Sequence, residues 1–308
     1  MWYGFGLVLW LQSWRFGAPD WLNAMIVQLS NMLYLEIPFA IALVLFWCVD
    51  RRLGGMAIFS LSFGFMFSLV SKDLLTLPRP WQLDAAIIPD ADAVKSASGF
   101  SCPSGHVATA VSSYGLLAYL YQHKRVAVLG CVLLIVMTAF TRLYLGVHTP
   151  FDVFVGCFIG FLAVGAAVLL FRWMDQGEGR DHTIFFIGLT MVAVALIAVY
   201  LLPTGYLDGT VYTNYASNFK QVCKYGALSV GGIVGWYLER RYIGFDPTAP
   251  RKIRRFLLGA FSDVAVFAII YLVAAVVGGT DLGFLIGGLA ISLYGFAGYP
   301  WVVKRYHL

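Results

Sequence analysis

The feature that most constrains this chain is a series of apolar runs, each about 20 residues long, along most of its length. A run of that length crosses the roughly 30 Å hydrocarbon layer of a bilayer as one α-helix. The runs lack the alternation of apolar and polar residues that is typical of a membrane β-barrel. Composition agrees: 60% of the 308 residues are hydrophobic, 12% are charged, and the mean hydropathy is +0.79. We therefore predict an all-α, polytopic membrane helical bundle rather than a soluble domain.

The apolar runs divide the chain into three segments. Residues 1–29 hold an amphipathic stretch that Pro19 interrupts, and we expect it to lie along the membrane interface. Five spans are predicted within 30–172 and four more within 173–308, a part that carries no chemical signature. The nine predicted spans are 30–49, 53–72, 104–122, 125–141, 150–172, 182–202, 219–238, 255–278 and 281–302.

Basic residues are distributed unevenly between the two sides that nine spans define. Cytoplasmic loops of membrane proteins carry an excess of lysine and arginine. With the N-terminus outside, fourteen of the 21 basic residues fall on one side, namely Arg51, Arg52, Lys124, Arg125, Arg172, Arg180, Arg240, Arg241, Arg251, Lys252, Arg254, Arg255, Lys304 and Arg305. We therefore predict an outside N-terminus and a cytoplasmic C-terminus. The net charge of +5 then reflects topology rather than one basic patch, and we expect no nucleic-acid partner.

The outer end of the second predicted span carries two cations close together. Lys72 is followed, after six residues, by Arg79 and Pro80. Pro78 and Pro80 prevent the helix from continuing, so the lysine is expected on its last turn and the arginine just beyond it. Taken alone, the pair is also typical of cations that anchor the end of a span.

The third predicted span begins with a sequence that suits an anion. Its first residues are Pro103, Ser104, Gly105 and His106. A serine N-cap and a glycine without a Cβ leave backbone N–H groups open at a helix N-terminus, which favours phosphate. Taken alone, the same residues also fit a turn, a cap and an incidental histidine.

The connection between the fourth and fifth spans carries a third polar cluster. It contains Thr141, Arg142, His148, Pro150 and Asp152. Proline suits the first turn of a helix, and the aspartate, four residues past the histidine, can reach an imidazole nitrogen and fix its tautomer. A histidine oriented by a carboxylate serves as a nucleophile or a base.

These three segments meet at the same membrane face in the predicted topology. Together they supply three cations, a helix N-terminus, two histidines and an aspartate. This combination predicts a site for a doubly negative tetrahedral anion, with one nucleophile and one proton donor.

In these residues the chain resembles the type-2 phosphatidic acid phosphatase superfamily, which shares its site with the vanadium haloperoxidases. The family motifs K-x6-R-P, P-S-G-H and S-R-x5-H-x3-D read here as Lys72 to Pro80, Pro103 to His106, and Thr141 to Asp152. Threonine replaces the leading serine of the third motif and keeps its hydroxyl. The nine-span layout is also similar to the glucose-6-phosphatase and sphingosine-phosphate phosphatase branches.

The resemblance implies a role for each matching residue. His148 would attack phosphorus, Asp152 would orient its ring, and His106 would protonate the leaving oxygen and then activate water. Segment 30–172 would be the catalytic phosphatase core. The residues implied to bind phosphate are Lys72, Arg79, Ser104, Gly105 and Arg142. No metal or other cofactor is expected, because three cations supply the charge neutralisation.

The leading hypothesis is hydrolysis of a lipid phosphate monoester or diphosphate in the bilayer, and oligomeric state is left open. The site would lie outside a bacterial plasma membrane, or in the lumen of the endoplasmic reticulum. A sugar phosphate, as in the glucose-6-phosphatase branch, is the alternative substrate. Two further hypotheses are an intramembrane serine hydrolase that uses Ser104, His148 and Asp152, and a transporter that only binds phosphate.

Overall fold

The computed structural model describes residues 4–202, 206–207, 210–211, 215–247 and 252–306. Most of these residues are helical, and loops connect the helices. Among them, one short antiparallel pair, β1 (Tyr206–Leu207) with β2 (Thr210–Val211), is extended. The prediction of an all-helical chain is confirmed at this level.

The helices follow one another with short connections. Up to residue 144 they are α1 (Phe5–Gly17), α2 (Asp20–Asn31), α3 (Ile37–Cys48), α4 (Arg51–Leu75), α5 (Pro80–Leu83), α6 (Ala91–Ser96), α7 (Gly105–Ala110), α8 (Leu116–Leu120) and α9 (Arg125–Tyr144). Beyond it they are α10 (Pro150–Met174), α11 (Arg180–Leu201), α12 (Tyr215–Leu238), α13 (Lys252–Gly278), α14 (Thr280–Leu293) and α15 (Tyr299–Tyr306). Single π-helical turns continue α2, α7, α12 and α14 at Met32–Glu36, Val111–Gly115, Glu239–Ile243 and Tyr294–Gly298.

Seven helical stretches in the described part of the chain are long and apolar enough to cross a membrane. They are Asp20–Cys48, Arg51–Leu83, Arg125–Tyr144, Pro150–Met174, Arg180–Leu201, Ile253–Gly278 and Asp281–Tyr306. The two remaining predicted spans, 104–122 and 219–238, are helical as well. Within the first of them, α7, its π-helical turn and α8 contain six, five and five residues. This helix is shorter than the roughly 20 residues that span a bilayer without help from neighbours.

The beginning of the first predicted span differs from the structure. A helix starts at Asp20, well before residue 30, and continues through the π-helical turn to Cys48. Pro19 occupies the N-cap, where a proline stops the preceding helix but not the next one. Helix α1, with 13 residues, is a separate helix too short to span.

The chain forms two compact units that alternate along the sequence. The first contains Met1–Pro38, Phe67–Gly165 and Ala198–Phe219, and it includes every residue predicted for the site. The second contains Phe39–Met66, Ala166–Ile197 and Lys220–Leu308.

In the first unit, close helix packing depends on two glycines of α10. A Cβ at Gly156 would lie 2.8 Å from the carbonyl oxygen of Ser104. A Cβ at Gly160 would lie 2.7 Å from the carbonyl oxygen of Ala108 and would also collide with Val111. Because real Cβ atoms do not approach a backbone oxygen this closely, α10 can lie against α7 only with glycine at these positions. The segment that starts with Ser104 is thereby held at a fixed depth beside α10.

The second unit is organised around buried aromatic rings. Phe59 packs edge-on against Trp236 and Phe171, with ring centroids 5.1 Å and 5.4 Å apart. Trp47 donates its indole N–H to the carbonyl of Gly295 at 2.7 Å. Large rings supply much buried apolar area per residue, and the indole N–H needs such a partner when it is buried.

Replacing Gly160 by alanine is expected to destabilise the protein. The added methyl would push α10 away from α7, at a cost of about 1–3 kcal/mol in free energy of unfolding. Thermal unfolding in detergent micelles measures the effect. Gly165→Ala is the matched control, because a Cβ there meets nothing within 4 Å. Equal unfolding midpoints for the two variants would contradict the packing role of Gly160.

Candidate active site

The lysine at the end of α4 is held by backbone carbonyls. Lys72 lies in the last turn of the helix and is 4% exposed. Its ammonium donates to the carbonyl of Phe100 at 2.8 Å and to that of Ser98 at 3.2 Å. Helix α4 ends at Leu75 because Pro78 and Pro80 cannot continue it. The backbone carbonyls of loop 98–100 therefore bind the first cation of the site.

The second cation, Arg79, joins this loop to the segment that contains His148. Its Nη2 donates to the carbonyl of Ser98 at 2.7 Å, and its Nε to that of Gly99 at 3.1 Å. Its Nη1 donates to the carbonyl of Val147 at 3.0 Å and lies 3.3 Å from Nε2 of His148. Arg79 stands at the N-cap of α5, where Pro80 directs the chain away.

The contacts of His148 define its tautomer. A guanidinium only donates hydrogen bonds, so Nε2, which faces Arg79, is the nitrogen with the lone pair. Nδ1 then carries the proton and points to Oδ2 of Asp152, 3.5 Å away. This separation is at the outer limit of a hydrogen bond, and such contacts often shorten when substrate binds.

Burial and neighbouring charge keep the imidazole of His148 neutral. Burial lowers its pKa well below the ordinary value, and the positive charges of Arg79 and Lys72 lower it further. Asp152 opposes this shift but does not cancel it. A neutral imidazole with an available Nε2 is the nucleophilic form of histidine.

Asp152 lies in the first turn of α10 and is a hub of hydrogen bonds. Its Oδ2 accepts from the hydroxyl of Ser101 at 2.6 Å and from the backbone N–H of Thr149 at 2.7 Å. Its backbone carbonyl accepts from the N–H of Ser104 at 2.9 Å. One residue therefore connects the histidine, the serine before α7 and the start of α10, which begins at Pro150.

The residues at the start of α7 are buried and leave polar atoms unused. Ser104 is the N-cap, yet its side chain makes no capping bond. In the described part of the chain, neither the Ser104 hydroxyl nor Nε2 of His106 has a hydrogen-bond partner. A Cβ at Gly105 would lie 3.9 Å from Cε of Lys72, so this backbone runs beside the first cation. His106 is within electrostatic range of Arg142 and His148.

Arg142, in the last turn of α9, is the third cation. It is 1% exposed and donates from Nη1 to the hydroxyl of Ser30 at 3.0 Å. Its Nε and Nη2 have no partner among the described residues. Buried polar atoms are normally paired, so these two donors are available to an acceptor that is not part of the described chain, such as water or an anion.

The predicted site residues thus form one cluster with a marked charge excess. Their side chains are at most 4% exposed wherever they are charged or imidazole. The cluster combines three formal positive charges with one carboxylate, Asp152. A phosphate monoester dianion would balance the remaining two charges and would accept from the unused donors. Among the described residues, no group of three or more His, Cys, Asp or Glu side chains is placed to hold a metal ion.

Sequence reasoning missed the residues that support this cluster. Ser101 stands two positions before the second motif and could have been suspected as a polar residue near it. Ser30 and Tyr34 lie in an apolar helix without any motif, and nothing in the sequence signals their contacts. Asn218 of α12 donates to Oδ2 of Asp73 at 2.7 Å, next to Lys72. Segment 173–308 therefore contributes a residue to the surroundings of the site.

Helix α1 also reaches this region. Arg15 donates from Nη1 to the carbonyl of Tyr144 at 3.1 Å, and its Nη2 donates to the carbonyl of Ile88. Gln12 accepts from the N–H of Ile88 at 2.7 Å and donates to the carbonyl of Ala86 at 2.9 Å. These bonds tie α1 to the two loops that precede the second motif and His148.

Comparisons with known proteins concern the same residues. The model of the PAP2 superfamily matches residues 53–176, the range that contains all three motifs. A "Probable sphingosine-1-phosphate phosphatase" of Dictyostelium discoideum is 24% identical over 64% of this chain and 50% of its own length. A "Lipid phosphate phosphatase delta" of Arabidopsis thaliana is 28% identical over 59% of this chain and 44% of its own length. An "Undecaprenyl-diphosphatase" of Sulfolobus acidocaldarius is 30% identical over 45% of this chain and 66% of its own length.

The chain spans about half the length of the first two relatives. No solved structure matches it. Its apolar helices and these relatives show an integral, multi-pass membrane protein. The chain is thus similar to the PAP2 superfamily through residues 53–176, which contain the site.

Proposed function

We propose that this protein is a membrane phosphatase that hydrolyses a lipid phosphate monoester or diphosphate through a phosphohistidine, without a metal ion. One observation carries the proposal. His148 is buried and neutral, and its Nε2 lone pair lies beside the guanidinium of Arg79. A nucleophile placed next to a cation is suited to attack a negatively charged phosphoryl group.

In the first step, Nε2 of His148 attacks phosphorus and the bond to the leaving oxygen breaks. His106 gives a proton to that oxygen, so the lipid leaves as an alcohol, or as a phosphate ester when the substrate is a diphosphate. The proton on Nδ1 stays in place, and Asp152 stabilises the positive charge that the ring acquires. The negative charge of a bound dianion favours the protonated form of His106 before this step.

In the second step, water attacks the phosphohistidine. His106, now neutral, accepts a proton from the water while the N–P bond breaks. The electron pair returns to Nε2 of His148, and inorganic phosphate leaves. The enzyme regains both histidines in their starting protonation states.

The three cations hold the phosphoryl oxygens in both steps. Arg142 offers Nε and Nη2, and Ser104 offers its hydroxyl, while Lys72 and Arg79 supply positive charge. Donors fixed in advance cost no reorganisation as charge moves during the reaction. This arrangement supports charge neutralisation by residues alone, which is the basis for proposing a metal-independent reaction.

A lipid is the substrate class that the surroundings favour. The relatives named above carry the names of phosphatases for a phosphorylated sphingoid base, for lipid phosphates and for an undecaprenyl diphosphate. Lys72, Arg142 and Asp152 lie at the ends of helices that are apolar enough to cross a membrane. A substrate whose tail stays in the bilayer suits that position better than a free sugar phosphate does.

The contacts favour this chemistry over a serine hydrolase. In a triad, the serine hydroxyl bonds to the histidine nitrogen opposite the carboxylate. Here that nitrogen faces Arg79, and the Ser104 hydroxyl has no partner among the described residues. A transporter that only binds phosphate has no need for the oriented tautomer of His148.

The finer architecture belongs to the same proposal. We take the chain to have nine spans, with the N-terminus outside, 30–172 as the catalytic core and the site on the extracytoplasmic or lumenal side. Of the segment 1–29 that was predicted to be interfacial, only the part before Asp20, with helix α1, keeps that assignment, because the helix that starts at Asp20 continues to Cys48. The excess of basic residues on the opposite side supports this orientation.

Phosphate release is the direct test of the function. Purified protein in detergent with EDTA is expected to release phosphate from a lipid phosphate or diphosphate, and to do so poorly from glucose 6-phosphate.

His148→Ala is expected to lose turnover and covalent phosphate, whereas His106→Ala is expected to retain activity best on substrates with good leaving groups. His123→Ala, in an exposed turn, is the matched control. Full activity in His148→Ala would overturn the proposal, and hydrolysis of glucose 6-phosphate alone would overturn the lipid assignment.

Asp152→Asn is expected to lower kcat by about 10⁴-fold, as when the carboxylate of a catalytic triad becomes an amide. Ser101 and Thr149 would still donate to the amide oxygen in the place of Oδ2, and Nδ1 of His148 faces that same atom. A neutral amide would then fail to stabilise the positive charge that the ring acquires when it attacks phosphorus. The exposed Asp92→Asn is the control in the kinetic assay. Activity in Asp152→Asn close to that of this control would refute the stabilising role of the Asp152 charge.

Thiol labelling tests the orientation. A cysteine at Asp92 is expected to react with an impermeant maleimide on intact cells, because loop 73–103 is proposed to face outward. A cysteine at His123 is expected to react only after the membrane is permeabilised. The unsubstituted protein gives the background from its five native cysteines. The opposite labelling pattern would reverse the orientation.

A further inference from the structure

We propose that Tyr34 and Ser30, which belong to no motif, are positioning residues, Tyr34 for the acid His106 and Ser30 for the phosphate-binding Arg142. The inference rests on the proposed function. Ser30 lies in α2, and Tyr34 lies in the π-helical turn that follows it. One helix outside the matched range 53–176 would then support two different chemical groups of the site.

Tyr34 stacks on the imidazole of His106. The ring centroids are 4.1 Å apart and the planes differ by 16°. A stacked ring restricts rotation of the imidazole about its side-chain bonds, and so fixes the direction of Nε2. Nε2 has no hydrogen-bond partner among the described residues that could fix its direction. The stacking with Tyr34 is therefore a contact that can orient the ring of His106.

The π-helical turn explains how Tyr34 reaches this place. Such a turn inserts one extra residue and shifts the direction of the side chains that follow, often at functional sites. The carbonyl of Leu33 accepts from the hydroxyl of Tyr114 at 3.2 Å. Tyr114 belongs to the π-helical turn that continues α7, the helix of His106. The two turns are therefore bonded to each other beside the stacked pair.

Ser30 determines how Arg142 presents its donors. Its buried hydroxyl accepts from Nη1 of Arg142 at 3.0 Å and from the hydroxyl of Thr141 at 3.1 Å. With Nη1 occupied, the planar guanidinium has one orientation, in which Nε and Nη2 stay available to a phosphate. The hydroxyl of Thr141, which stands where the family motif has serine, takes part in the same contact.

The two roles predict different kinetic signatures. A misplaced general acid slows the reaction most for substrates whose leaving oxygen most needs a proton, which are those with the least acidic leaving groups. A misplaced arginine weakens the hold on the phosphoryl group, whatever the leaving group is. A merely structural defect would lower the amount of active enzyme and affect all substrates alike.

The experiment measures kcat/KM for a series of aryl phosphates whose leaving phenols differ in acidity, because kcat/KM reports formation of the phosphohistidine. Tyr34→Leu is expected to lose at least about 10-fold on the least acidic phenol and less than about 3-fold on the most acidic. Tyr34→Phe keeps the ring and is expected to restore the wild-type pattern. Met32→Leu, at an exposed position of the same turn, is the matched control.

Ser30→Ala is expected to lower kcat/KM by the same factor for every leaving group. It is also expected to weaken competitive inhibition by orthovanadate, which the control Met32→Leu should leave unchanged. Should Tyr34→Leu fail to fold, Tyr34→Met replaces the ring by a flexible chain of similar bulk. An equal loss on all substrates for the Tyr34 variants, or unchanged vanadate inhibition for Ser30→Ala, would overturn the respective assignment.

The controls separate this inference from the function on which it rests. If His148→Ala kept its activity, the proposed function itself would fall. If His148→Ala lost activity and His106→Ala showed the leaving-group effect, while Tyr34→Leu did not, only the positioning role of Tyr34 would be wrong.

Discussion

The rest of the site depends on how three cations, Lys72, Arg79 and Arg142, are held away from water. A buried guanidinium or ammonium needs acceptors for its N–H groups. Lys72 and Arg79 find theirs in the backbone carbonyls of loop 98–100, and Arg79 also uses Val147. Carbonyls satisfy the hydrogen bonds without neutralising the charge. The site therefore keeps a net positive charge that ion pairs with acidic side chains would have removed, and this charge is the basis on which we propose that it binds a phosphoryl group.

The carboxylate of Asp152 is used for a different purpose. It accepts hydrogen bonds from Ser101 and Thr149 and faces His148, so it fixes the positions of these residues. The backbone carbonyls, in contrast, leave the positive charge of the cations unneutralised. Its own backbone carbonyl binds the N–H of Ser104. His148 and Ser104, the proposed nucleophile and a proposed phosphate-binding residue, consequently share one support, and a displacement of that support would move both. Glycines of α10 keep this support close to α7, because any Cβ at Gly156 or Gly160 would separate the helices.

Sequence reasoning reached the parts of this arrangement that short-range chemistry determines. The proline pair after Lys72, the proline that begins α10 and the spacing from His148 to Asp152 each act within a few residues, and each has the expected local structure. The contacts of Ser30 and Tyr34 could not be predicted, because they join residues far apart in the sequence, 112 positions for Ser30 and Arg142. Nor could the π-helical turn that carries Tyr34, since no residue in Met32–Glu36 requires one. The first predicted span began too late for a related reason: Pro19 ends one helix but allows another to start at once.

Helix α1 has a consequence for how the protein is made. Arg15 donates to the carbonyl of Tyr144, a residue that the ribosome adds 129 positions later. The other described acceptor of its guanidinium, the carbonyl of Ile88, is made earlier. The exposed rings of Trp10, Trp14 and Phe16 suit a helix that lies at the membrane surface in the meantime. The loop before His148 acquires this support only after α9 has been inserted. The bond between α1 and the end of α9 therefore forms only after the whole stretch from Arg15 to Tyr144 has been made.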